Sequence, residues 1–163
     1  MRENKRIGYA DAAGKYVITP RFHDGGNFSE GLAPVLDNES YQLHEQWGYV
    51  NPKGSFVISP RFDIAAECSE GLAMVVLDDD DGNEKLGFID TAGYFRIPPK
   101  FAYPGSPSKF SEGLAAVKLN SNGKPVFIDK QGKVVLRPQA DHVPRQITFP
   151  HFTKDSPLPN KTA

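Results

Sequence analysis

Three glutamates occupy one recurring phrase: Glu30 in Phe28-Ser29-Glu30-Gly31-Leu32-Ala33, Glu70 in Cys68-Ser69-Glu70-Gly71-Leu72-Ala73, and Glu112 in Phe110-Ser111-Glu112-Gly113-Leu114-Ala115. Two carboxylates can divide acid and base work only where their surroundings hold one protonated and the other ionised. Equivalent slots of a repeat offer equivalent surroundings. Each glutamate is therefore expected to bond a nearby turn backbone or to pair with Arg21, Arg61 or Lys100. Cys68 takes the slot that Phe28 and Phe110 hold in the other copies, which suits a buried apolar filler. A thiol nucleophile needs an activating base, and no histidine lies within 20 residues of it.

Metal chemistry finds little support. His23, His44, His142 and His151 are scattered without ligand spacing, and a lone cysteine excludes a cysteine cluster or an intrachain disulfide. The run Asp78-Asp79-Asp80-Asp81-Gly82-Asn83-Glu84 invites calcium. An EF-hand loop with its glycine at Gly82 would begin at Leu77 and finish at Phe88, and neither side chain can ligate an ion. A solvated loop between strands is the expectation, with irregular calcium binding the open alternative. There is no phosphate-cradling glycine loop and no nucleophile elbow. The chain is thus expected to bind rather than to catalyse, with no catalytic residue, no metal and no cofactor.

The elements that would position these residues come from the repeat. A second phrase reads Gly8-Tyr9-Ala10-Asp11, Gly48-Tyr49-Val50-Asn51 and Gly87-Phe88-Ile89-Asp90, with a worn copy at Val126-Phe127-Ile128-Asp129. A glycine follows in each copy, at Gly14, Gly54, Gly93 and Gly132, and then an apolar run ending in proline at Pro20, Pro60, Pro99 and Pro138. β-branched and aromatic runs separated by Asn, Pro, Asp and Gly read as short antiparallel strands joined by turns. Glycine supplies the positive φ of the return, and proline stops a strand because it cannot donate to a ladder. The recurring aromatics Tyr9, Tyr49, Phe88 and Phe127, with Trp47, are read as core packing rather than as sugar-stacking rings.

The fold expected is all-β, without a helix of ten residues or more. Units of about 40 residues, each a three-stranded antiparallel meander, would stack as a solenoid or curl into a propeller-like array. A single domain is expected over 1–150, with a lone opening hairpin at 7–20, units at 28–60, 69–99 and 110–138, and a cap at 139–150. The strand-like Gln146-Ile147-Thr148-Phe149 would belong to that cap, and 151–163 would form a flexible tail. No window is apolar enough to span a membrane, and the first residues carry no secretory signal, which leaves cytoplasm and periplasm both open.

The pattern Trp47-Gly48-Tyr49-Val50-Asn51-x-x-Gly54, then Val57-Ile58-x-Pro60-x-Phe62, then Ser69-Glu70-Gly71-Leu72-Ala73 resembles the bacterial WG, or KWG, β-repeat. The resemblance covers roughly residues 7–138. The naming Trp is present once, at Trp47, and the fourth copy carries Val126 where the family has glycine. The resemblance implies a structural and interaction module and carries over no catalytic residue.

Charge points to where a partner would dock. Residues 30–90 hold thirteen acids against Lys53, Arg61 and Lys85, a net of −10, while the rest of the chain sums to +9. In an up-down-up meander the loops after Leu36 and Leu77 leave from the same end, as does the shorter loop Asn120-Ser121-Asn122-Gly123-Lys124. An acidic partner-binding patch is expected from Asp37, Glu39, Glu45, Asp78, Asp79, Asp80, Asp81 and Glu84, with Tyr103 in the long connector Tyr103–Ser108 beside it. Such a patch repels nucleic acid and steers basic protein surfaces. Its rival is an acidic surface that only keeps a β protein soluble. The function expected is a protein-binding repeat module; an inhibitor or immunity protein docking a toxin or enzyme with a basic surface is one such role. The alternative is a cell-envelope module that binds carbohydrate or peptidoglycan.

Overall fold

The computed structural model describes residues 5–37 and 45–138, and these contain thirteen β-strands and no helix. The expected cap and tail, and Glu39, lie outside the described residues. The strands are β1 Ile7–Ala10, β2 Tyr16–Phe22, β3 Asp24–Gly25, β4 Ala33–Asp37, β5 Gln46–Val50, β6 Phe56–Phe62 and β7 Ile64–Ala65. Then follow β8 Leu72–Asp78, β9 Glu84–Asp90, β10 Phe95–Ala102, β11 Ala115–Lys118, β12 Pro125–Ile128 and β13 Val134–Leu136. They form open antiparallel sheets of two, four and seven strands, each strand bonded only to its neighbours in sequence.

Each three-stranded unit gains a short fourth strand from the hairpin before it. Strand β2 ends at Phe22, the chain bends at His23, and β3 pairs with β4 through Asp24↔Leu36 and Gly25↔Val35. The same bend at Asp63 passes the chain from β6 to β7, which pairs Ile64↔Val76. In the third unit no break intervenes: Ala102 faces Lys85 on one side and Lys118 on the other, fusing the last two units into the seven-stranded sheet.

The glycine after Trp47 has a steric cause. Trp47 faces Phe62 and Tyr49 faces Ile58, so the single residue Gly48 lies opposite Ser59, Pro60 and Arg61. This bulge folds backbone over the glycine, and a β-carbon there would lie 2.6 Å from the Ile58 oxygen and 2.7 Å from the Pro60 nitrogen. Gly8 and Gly87 sit under equivalent bulges. In the fourth copy, β13 ends at Leu136, short of the bulge, and Val126 fits.

The buried faces merge into clusters that cross unit boundaries. One unites Leu32, Tyr49, Ile58 and Phe62 with Cys68, Ala73, Val75 and Ile89 of the next unit. A larger one centres on Met74, Leu86, Phe88, Phe101 and Phe110 and reaches Val126 and Ile128. Edge-on ring pairs Phe22–Phe56 and Phe62–Phe95, at 6.1 and 6.3 Å, bridge successive hairpins.

Candidate partner-binding surface

Two of the recurring glutamates, Glu30 and Glu70, serve the scaffold, bonding a turn backbone as expected but in the next repeat rather than nearby. Both carboxylate oxygens of Glu30 accept from the Gly71 amide at 3.0 Å, and those of Glu70 accept from Gly113 at 3.0 and 3.2 Å. Glu30 and Glu70 thus each hold the same turn one repeat further on. The neighbouring hydroxyls do likewise, Ser29 donating to the Cys68 carbonyl and Ser69 to that of Phe110, both at 2.7 Å. Arg21 and Arg61 also reach forward: their guanidinium groups lie over the Phe22 and Phe62 rings and donate to the carbonyls of Gly54 and Gly93. Lys100 stacks on Phe101 in the same manner.

Cys68 is buried beside Tyr49, and burial, with a smaller contribution from the charge of Glu30, pushes its thiol up to about 11. At pH 7 it is a protonated core atom. Native protein is expected to resist alkylation at pH 8 and to react at once after denaturation, by thiol titration with and without denaturant. A raised folded value means that this group's contribution to stability is complete below its ordinary value of 9.0 and is lost as pH climbs through about 11. Rapid labelling of the native thiol at pH 8 would contradict this.

The acidic run is more ordered than an irregular loop. Asp79 Oδ1 accepts from the amides of Asp81 and Asn83 at 3.0 and 2.8 Å, and Gly82 returns the chain with φ of 77°. The same arrangement closes the other turns at Asp11, Asn51, Asp90 and Asp129, so this loop reuses the turn of the repeat. The Asn83 amide above all, with further bonds from Asn83 and Asp81 and with Lys85 at 3.8 Å, holds the Asp79 carboxyl below the usual carboxylate range. Asp79 is thereby committed to the turn. Asp78, Asp80, Asp81 and Glu84 stay exposed around it. Among the described residues, no group of three or more His, Cys, Asp or Glu side chains is placed to hold a metal ion.

The structure gathers part of the expected patch. Asp78, Glu84 and Tyr103 line one open groove of about 670 Å³, together with Asn83, Lys85 and residues 119–121 of the third loop. Burial, and then the charge of Glu84, raises the Tyr103 hydroxyl above its ordinary range. Asp80 and Asp81 are exposed in the turn between Asp78 and Glu84 and do not line the groove. Asp37 closes β4 opposite Gln46, and exposed Glu45 precedes β5; neither lines this groove.

A second groove was not legible in the sequence. It has a volume of about 420 Å³ and runs along the bends of the connectors, lined by Trp47, Pro34, Ala65, Ala66 and Pro107, with Glu67 and Lys109 at hand. Trp47 is half-buried there, packed on the core by one part of its ring and facing the groove with another.

A family model described as the WG containing repeat matches residues 7–41, 47–79 and 87–124, well over half of the chain. No curated protein and no solved structure matches it.

Proposed function

The chain belongs to the family of WG containing repeats, and on that footing we propose that it is a non-catalytic repeat module that binds a basic protein surface at the loop end around Asp78. The observation that carries this reading is the groove that Asp78 and Glu84 line together with Tyr103, with Asp80 and Asp81 exposed in the turn between the two acids. An aromatic ring beside exposed carboxylates suits a lysine- or arginine-bearing surface, with the charges steering encounter and the ring supplying contact area. A module that seats a basic cleft without chemistry of its own fits an inhibitor or immunity protein. The repeats, in this reading, stack openly and hold the loop end as a rigid edge.

The test replaces Asp78, Asp80 and Asp81 by Asn and Glu84 by Gln, leaving Asp79 to hold its turn. Partner capture from the source organism's lysate at low and high salt is compared for the two proteins, with bound chains identified by mass spectrometry. Salt should release the partner, because exposed charges are screened within roughly 10 Å at 0.1 M. The quadruple variant should bind about tenfold more weakly or worse. A partner held equally by both proteins, at either salt, would sink the acidic-edge reading.

The Trp47 groove favours a second reading, retention on carbohydrate or peptidoglycan, since an indole beside prolines offers a flat apolar wall. Salt-insensitive retention on cell-wall material, abolished by Trp47→Ala and indifferent to the acidic substitutions, would establish it in place of the first.

A further inference from the structure

The two end hairpins expose the two halves of a contact that is complete everywhere between them. In each internal seam an isoleucine of one hairpin packs on the turn glycine of the next. A β-carbon added at Gly54 would lie 3.2 Å from Ile18, one at Gly93 3.1 Å from Ile58, and one at Gly132 3.0 Å from Ile97. These isoleucines are 4%, 4% and 1% exposed. The next residue in that slot is Leu136, and it is 50% exposed. The first glycine in the receiving slot is Gly14, whose φ of 80° is left-handed like those of its equivalents, yet none of the described residues comes within 4 Å of a β-carbon placed there. Beside it, Tyr16 stands in the slot of Phe56 and Phe95 and is 57% exposed where they are 36% and 37%.

We infer that a second copy of this chain docks head to tail, with Leu136 of one copy seated on Gly14 and Tyr16 of the next. The occupant is a second copy because the surface required is the one this chain already builds three times: a branched apolar side chain over a glycine turn, beside an aromatic ring. The contact joins unlike faces, so it is heterologous. It leaves one free head and one free tail at each step, and it grows into a ring or a filament according to the rotation per copy.

The experiment is sedimentation equilibrium of the full chain over a concentration series, with two variants. Leu136→Asp blocks the tail and leaves the head intact. Gly14→Asn fills the head with a residue that tolerates positive φ and leaves the tail intact. Both sites are exposed, and unchanged thermal midpoints would show that both variants fold. The unaltered chain should rise above its monomer mass of 18.0 kDa with concentration, and each variant alone should remain monomeric. An equimolar mixture of the two should recover association, stopping at the dimer, because only one intact head and one intact tail are present. A monomeric unaltered chain, association that survives either substitution, or a mixture that stays monomeric would each overturn the proposal.

Discussion

Gly48→Ala unfolds the protein at a temperature lower by roughly 6–12 °C, the equivalent of about 3 kcal/mol or more for a chain of this size. The added methyl meets backbone, at 2.6 Å from the Ile58 oxygen and 3.0 Å from the Pro60 α-carbon, and no rotamer can carry backbone aside. Relief requires the bulge over Ser59–Arg61 to lift, which would pull Tyr49 and Ile58 out of register. The control is Gly113→Ala. There φ is 77° and the space is open, so the cost is the left-handed conformation alone, on the order of 1 kcal/mol. Thermal unfolding of both variants decides the matter. Equal shifts would mean that Gly48 is kept for backbone freedom and that the bulge is not in contact with it.

Phe62→Ala is the largest side-chain loss expected, at roughly 3–5 kcal/mol in denaturant unfolding. Phe62 is fully buried, meets Tyr49 at 6.4 Å and Phe95 at 6.3 Å edge-on, and lies under the Arg61 guanidinium at 4.9 Å. Removing the ring opens a cavity and also frees Arg61, whose donation to the Gly93 carbonyl ties the second hairpin to the third. Phe56→Ala, at a ring that is 36% exposed, should cost clearly less. Equal costs would refute the claim that the seam is built on the inner ring.

These consequences are partly legible in the residues alone. The turns are, because Asp11, Asn51, Asp90 and Asp129 each precede a glycine by three residues, and that spacing has a local cause. Asp79 and Gly82 share the spacing, yet the surrounding acids read only as a solvated loop between strands. The reason for Gly48 was not legible, since the backbone that covers it arrives through a bulge in the partner strand. Nor was the partner of Glu30. In a periodic chain, a bond within a repeat and a bond to the next repeat leave the same signature, and Gly71 repeats Gly31. Charge singled out Asp78 and Glu84 on one loop and connector length singled out Tyr103, but it is the pairing of β9 with β10, which sets Ala102 beside Lys85, that brings them to one groove, while Asp37 and Glu45 stay outside it. The Trp47 groove depends on three connectors meeting, which no single segment announces.

The strand order has a kinetic consequence. Every strand pairs with the strand before it or after it in sequence, so no pairing waits for a distant part of the chain to be found. Loop-closure entropy is therefore small at each step, and the usual slowness of β-proteins, which comes from remote pairings, does not apply. Folding can begin at any hairpin and advance outward, each finished strand bending at His23 or Asp63 to present the first edge of the following sheet. A completed hairpin thereby presents the edge on which its successor pairs, so a chain emerging from the ribosome can order itself unit by unit.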